Sequence, residues 1–144
     1  MKENKILLAE PSIETKKTLG LIEKVLKANF PNEGKYTKIF EKKISNLLNV
    51  KYTVTATSGT VSIFLALKAI GIKKNHEVIV PNITFAATAN AVELAGAKPI
   101  FVDVDKKNLL ICEKSLLKKI NKKTKAIIAV HISGRGNNIK NILK

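Results

Sequence analysis

From Ile13 to Lys27 the apolar side chains Leu19, Ile22, Val25 and Leu26 recur between lysines, the spacing of a helix with one apolar face. Asn29-Phe30-Pro31-Asn32-Glu33-Gly34 interrupts it with turn-forming residues. A second helix is predicted from Tyr36 to Leu48, burying Ile39, Phe40, Ile44, Leu47 and Leu48. The β-branched run from Tyr52 to Thr57 then predicts a strand. Beyond it the pattern alternates. A mostly buried helix from Val61 to Ile70 ends at Gly71, and a strand from Glu77 to Val80 stops at Pro81. A small-residue helix runs from Thr84 to Ala95, closed by Gly96; a strand follows from Pro99 to Val104 and a helix from Glu113 to Ile120. Lys125 to Val130 is a continuous apolar strand, Ile132 to Asn137 a glycine-rich loop, and Asn138 opens another helix. Strands alternating with helices over short connections imply right-handed crossovers and a largely parallel sheet. Strands this apolar imply cover on both faces. The last helix has barely begun at Lys144, below the length at which a helix holds by itself. The sequence therefore reads as stopping inside a domain.

Composition narrows the class without naming a function. A chain of 144 residues, 45% hydrophobic, is large enough for one core and too apolar for a disordered segment. No apolar run is long enough to cross a bilayer, and MKENKILLAEP has too short an apolar core for a secretion signal. The single cysteine, Cys112, allows no internal disulfide and is otherwise neutral about compartment; the cytoplasm is the default expectation. The net charge of +15 raises the possibility of nucleic acid or membrane partners. Its distribution argues against both. Arg135 is the only arginine, and the lysines fall in scattered pairs such as Lys16-Lys17, Lys73-Lys74 and Lys122-Lys123. Nucleic-acid surfaces use arginine forks and stacking aromatics, which do not cluster here. The charge is expected to be a solvated lysine surface.

Candidate chemistry sits where strands hand over to helices. Ser58-Gly59-Thr60 joins a strand to a helix, where a glycine admits close approach and free N–H groups favour a phosphate. The same tripeptide also suits an ordinary helix cap. Pro81-Asn82-Ile83-Thr84-Phe85 lies at the carboxyl end of the next strand, the edge at which open α/β sheets bind ligands. Phe85 could cover a flat ring there or anchor the following helix, and Thr84 could simply cap that helix. Asn90 is polar in an alanine-rich helix, and His131 ends an apolar strand; each suits a pocket or a structural role. Asp103 and Asp105 read as a turn, and His76 as an exposed residue in a lysine-flanked turn. Two distant histidines and one cysteine make no metal site. The glycine-rich dinucleotide, Walker and nucleophile-elbow motifs are absent.

Taken together, GKYTKIFE (Gly34 to Glu41), TSGTVSIFLALKAIGI, HEVIVPNITFAATANAV, GAKPIFVDVD and KTKAIIAVHISGR resemble the N-terminal part of the DegT/DnrJ/EryC1/StrS family of pyridoxal-phosphate-dependent sugar aminotransferases. The order of five blocks over nearly the whole chain is far more specific than any one of them. The resemblance implies a type I aminotransferase fold, three-layer α/β/α with a mostly parallel sheet, its large domain incomplete. It implies a helical segment over residues 1–50, the N-terminal part of the cofactor-binding domain over 51–144, and a homodimer. By matching motif, Ser58, Gly59, Thr60 and the Val61 backbone would hold the phosphate of pyridoxal 5'-phosphate. Phe85 would stack on its ring, and Asn90 and His131 would lie by the substrate. The substrates implied are a nucleotide-linked keto-sugar and glutamate or glutamine, for polysaccharide or glycan synthesis.

The family's Schiff-base lysine and ring-nitrogen aspartate belong to later blocks, so none of these residues is assigned as catalytic and the polypeptide is expected to be inactive alone. Cys112 stands where the family tends to carry a helix-capping Asp, and Ser133 and Arg135 replace the more usual residues around Gly134. Other readings remain open: a sugar dehydratase of the same fold, in which histidine replaces the lysine; a non-enzymatic basic binding module; and a truncated product without independent role.

Overall fold

Where apolar residues alternate with caps and glycines, the chain builds its elements close to the expected positions. The structure, a computed structural model, describes residues 11–28 and 32–143. The expected break at Asn29, Phe30 and Pro31, the N-terminal ten residues and Lys144 lie outside them. The chain divides into two compact units, between Thr55 and Ala56.

The first unit carries α1 (Thr15–Lys27) and α2 (Lys35–Leu48). The described ion pairs, Lys17–Glu14 at 3.2 Å and Lys27–Glu23 at 2.6 Å, both lie exposed on or beside α1. The burial expected for α2 is not found: no residue of either helix is buried, and Ile39, Phe40, Leu47 and Leu48 are exposed. Asn49 ends α2 in the left-handed conformation, which asparagine tolerates. The strand expected over Tyr52 to Thr57 is also absent; these residues join no ladder among the described residues. Their polar groups go instead to Glu41. Its backbone oxygen accepts from Thr53 Oγ1 at 2.7 Å, and its carboxylate accepts from Thr55 N at 2.9 Å and Thr55 Oγ1 at 3.0 Å. β-branching makes a segment extended, but a strand also needs a partner backbone. Glu41→Ala would leave the Thr55 donors unmet; we expect a loss of about 1–2 kcal/mol, read from the urea midpoint.

The second unit is the α/β body. It contains α3 (Gly59–Ala69), β1 (Glu77–Pro81), α4 (Ala87–Leu94), β2 (Lys98–Val102), α5 (Glu113–Lys119), β3 (Thr124–Ile127), a 3-10 turn (Ile132–Gly134) and α6 (Ile139–Ile142). The three strands are parallel in the order β2-β1-β3. Side chains on β1 alternate between faces. Val78 and Val80 join Leu67, Ile72, Val92, Ala95 and Ala97 under α3 and α4. Ile79 joins Val102, Ile111 and Leu116 against α5, with Ile142 of α6 packed alongside. Helices thus cover both faces, and the three-layer α/β/α arrangement with a parallel sheet is present.

Several boundaries differ from those predicted. β3 is paired only as far as Ile127, not Val130, with a register shift between Glu77 and Val78. Its partner strand ends in Pro81, which has no N–H to extend a ladder. α3 buries only Leu67, since Leu65 and Ile70 face outward. α4 begins at Ala87, after a bend at Thr84 and a turn at Ala86; Thr84 caps no backbone group and pairs its hydroxyl with buried Thr88 at 2.8 Å. Gly71 (φ +81°) and Gly96 (φ +83°) end α3 and α4 in the left-handed region, as glycine allows. His76 is half-buried, not exposed, with Nδ1 buried and unpartnered among the described residues. Its backbone carbonyl accepts from Lys98 N at 3.0 Å, drawing the turn against the start of β2.

Candidate functional site

Chain direction brings the candidate residues to one edge. α3 has eleven residues and β1 five, each about 16 Å long. α3 passes through the short connection from Gly71 to His76 into β1, and a helix so joined runs back along its strand, which sets its start toward the strand's carboxyl end. Ser58 to Val61 therefore share that edge with the Pro81–Phe85 loop that leaves β1. β3 lies beside β1, and His131 follows it on the same edge.

The connections from β1 reverse direction here. α4 carries the chain to β2 on one side, and α5 carries it back across to β3 on the other, with these helices on opposite faces. In open α/β sheets such a reversal opens a crevice outside the strand ends, where ligands sit. The loops that leave β1 and β3, carrying Phe85 and His131, hold that position in the topology.

Ser58 is extended (φ -160°, ψ 164°) and caps α3, accepting from Val61 N through Oγ at 3.3 Å. Its carbonyl takes Ser62 N at 2.9 Å and Ser62 Oγ at 3.0 Å. The cap reading of Ser58 is therefore realised. The N–H groups of Gly59 and Thr60 have no hydrogen-bond partner among the described residues, and the first turn carries no acidic residue. A Cβ at Gly59 would meet nothing within 4 Å. The helix start is open in front of two free donors, an arrangement that takes a phosphate. Val61 N is the exception to the expected cradle, since the Ser58 hydroxyl already engages it.

Phe85 is 82% exposed. That excludes the alternative in which it anchors α4 in the core, and leaves a bare aromatic face beyond the end of β1. Its loop is fixed from below. Asn82 N donates to Val102 O at 2.9 Å, and Asn82 Nδ2 donates to Asp103 Oδ1 at 3.1 Å. Asp103 N in turn donates to Ser115 Oγ of α5 at 3.0 Å. Asp103 is thus a brace for the aromatic loop and not a turn residue, whereas Asp105 does make the turn, accepting from Lys107 N at 2.7 Å. Sequence reasoning missed the Asn82–Asp103 tie because it spans two strands. The adjacency of Pro81 and Val102 in register is the signal that could have found it.

Asn90 lies one turn into α4 and is exposed. His131 is exposed, with Nδ1 accepting from Asn137 N at 2.9 Å. Asn137, unremarked in the sequence, also donates from Nδ2 to Val130 O at 2.7 Å. No cluster of metal-ligating side chains occurs among the described residues. No helix described is long and apolar enough to cross a membrane.

Cys112 is the N-cap of α5 with no side-chain bond to its first turn. Cys112→Ser would supply the missing acceptor; we expect thermal unfolding to show a gain of about 0.5–1 kcal/mol.

Comparison with known proteins places this architecture. The model of the DegT/DnrJ/EryC1/StrS aminotransferase family matches residues 12–144. A GDP-perosamine synthase of Vibrio cholerae is 36% identical over 133 residues, covering 92% of this chain and 36% of that protein. The GDP-perosamine synthase of Escherichia coli O157:H7 is 40% identical over 113 residues, 78% of this chain and 31% of its own length. A 3-oxo-glucose-6-phosphate:glutamate aminotransferase of Bacillus subtilis is 33% identical over 129 residues, 90% of this chain and 29% of that protein. The chain therefore spans about a third of the length of these relatives. Among solved structures, a sugar aminotransferase of Streptococcus pneumoniae in its PMP form superposes with a TM-score of 0.88 at 26% identity, over 96% of this chain and 35% of that one. An aminotransferase from Psychrobacter cryohalolentis gives 0.85 at 30% identity, over 94% of this chain and 34% of its own.

Proposed function

The chain belongs to the DegT/DnrJ/EryC1/StrS aminotransferase family, and we propose that its α/β body seats pyridoxal 5'-phosphate for amino transfer to a sugar. What supports the reading is two features that chain direction brings to one sheet edge: unpartnered Gly59 and Thr60 N–H groups, and a bare Phe85 ring. A phosphate and a flat ring are the two handles of this cofactor, and the residues present suit both. Gly59 and Thr60 would donate to the phosphate, with the Thr60 hydroxyl as a third donor. Ser58 holds the helix start in the conformation that aims those donors outward. Phe85 would cover one face of the ring and keep water from it. Asn90 and His131 would border the substrate. When bound, the cofactor supplies an electron sink through which an amino group passes between donor and acceptor.

Residues 51–144 are read as the N-terminal part of the cofactor-binding large domain and residues 1–50 as a helical segment preceding it. The acceptor is a nucleotide-linked keto-sugar, in keeping with two relatives named GDP-perosamine synthase. The donor is glutamate, as in the name of the Bacillus subtilis relative, with glutamine as the alternative. The working form is a cytoplasmic homodimer. No lysine within these residues occupies the family's cofactor-lysine context, so the 144-residue polypeptide alone should not turn over. Measurable amino-sugar formation from glutamate and a GDP-linked keto-sugar by this polypeptide would contradict that.

The cradle itself is tested by comparing pyridoxamine 5'-phosphate with pyridoxamine in equilibrium dialysis. The amine forms avoid condensation with the many surface lysines. Saturable binding of the phosphorylated form and not of the other supports the proposal. Equal binding of the two, or none, removes it.

A further inference from the structure

Asn137 ties down the loop after β3 from several sides. Its Nδ2 donates to Val130 O at 2.7 Å, its Oδ1 accepts from Ile111 N at 3.4 Å, and its backbone N–H donates to His131 Nδ1 at 2.9 Å. The same Nδ2 also lies 3.3 Å from His131 Nδ1. Two amide nitrogens therefore face one ring nitrogen. A ring nitrogen that accepts a hydrogen bond carries no proton of its own, so neutral His131 holds its proton on Nε2. Nε2 has no partner among the described residues, and the residue is exposed.

We infer that Asn137 is a positioning residue that locks His131 as a hydrogen-bond donor through Nε2–H, and that His131 serves a ligand oxygen there and does not act as a proton-abstracting base. The ligand chemistry is an oxygen acceptor: a carboxylate, a phosphate or a sugar oxygen. For Nε2 to take up a proton from a neutral ring, the tautomer would first have to change. That would set an Nδ1–H against the Asn137 N–H, replacing an attractive contact with two opposed donors. The amide side chain adds what the backbone N–H alone lacks. Its bonds to Val130 and Ile111 fix the distance between residue 137 and the ring. The Ser133 backbone, left-handed at φ 50°, shows how sharply the intervening loop turns to make this approach.

The placement of the ring at a ligand crevice rests on the proposed function; the tautomer does not. The test is a long-range proton–nitrogen correlation spectrum of the ¹⁵N-labelled chain at about pH 8, where an unperturbed imidazole is neutral. A His76→Gln variant assigns the two rings. The expected spectrum has His131 protonated at Nε2 over Nδ1 by about ten to one or more, a ratio corresponding to about 1.4 kcal/mol. In Asn137→Ala the ratio falls toward that of a free imidazole while His76 is unchanged; Asn137→Ser serves the same purpose if the alanine variant fails to fold. A parent spectrum with Nδ1–H, or with mixed tautomers, overturns the donor role. An unchanged ratio in a folded Asn137 variant overturns the positioning role. Failure of cofactor binding would leave the tautomer and the role of Asn137 intact, so the two ideas fail separately.

Discussion

Replacing Phe85 with alanine weakens binding of pyridoxamine 5'-phosphate by about tenfold or more and leaves the urea midpoint of the chain unchanged. The stability half follows from exposure: at 82% accessible the ring contributes little to either core. The binding half follows from what the ring offers. Aromatic stacking contributes about 0.5–1.5 kcal/mol beyond burial, and covering its apolar face adds about 1 kcal/mol more. Together these amount to about 1.5–2.5 kcal/mol, a factor of about 10 to 70. Equilibrium dialysis and urea denaturation of parent and variant read the two halves independently. A lowered midpoint would return Phe85 to the core. Unchanged affinity would remove it from the ring site.

Ile79→Ala acts in the opposite sense and should be the most damaging conservative truncation in the chain. Ile79 is fully buried at the middle of the central strand, flanked in register by Ile100 and Ile127 and packed with Ile111 and Leu116. Strands on both sides hold the backbone, so the cavity cannot collapse. Removing the side chain should cost about 3 kcal/mol or more, a large share of the stability of any small domain. Ile120→Ala is the control: that side chain is half exposed beyond α5, and its removal should cost less than about 1 kcal/mol. Chemical denaturation of both variants makes the comparison. Equal losses would mean that the β1 core is not the principal apolar core of the α/β body.

The elements that were legible in advance are those fixed by near neighbours. Gly71 and Gly96 end helices at the expected places because a left-handed turn is a local demand. The run Val78-Ile79-Val80 is buried on both faces, as its continuous apolar pattern implies. Ser58 could be recognised as a cap, and its place at the start of a predicted helix made Gly59 and Thr60 candidate donors. What escaped depends on distant partners. Tyr52 to Thr57 has strand composition but no ladder, because its donors go to Glu41, more than ten residues away in sequence. The role of Asp103 depends on Asn82, which comes alongside only through the register of β1 with β2. Asn137 looked like loop composition until the fold set it against His131 and Val130. The amphipathic faces of α1 and α2 were correctly periodic, yet a face is buried only where something covers it.

Charge separates the cofactor reading from a basic binding module. Lysines lie exposed on α1, α2 and α5 and in the turns between elements. An anion drawn by net charge alone would visit all of them, whereas a seated cofactor would not. Whether the start of α3 and the Phe85 loop form one seat is read by titrating the ¹⁵N-labelled chain with pyridoxamine 5'-phosphate and, separately, with inorganic phosphate. A shared seat gives saturable shifts of the Gly59 and Thr60 amides with both ligands, and of the amides of residues 82–86 with the pyridoxamine compound only. Shifts scattered over the lysine-bearing helices, with Gly59 and Thr60 unmoved, would contradict it.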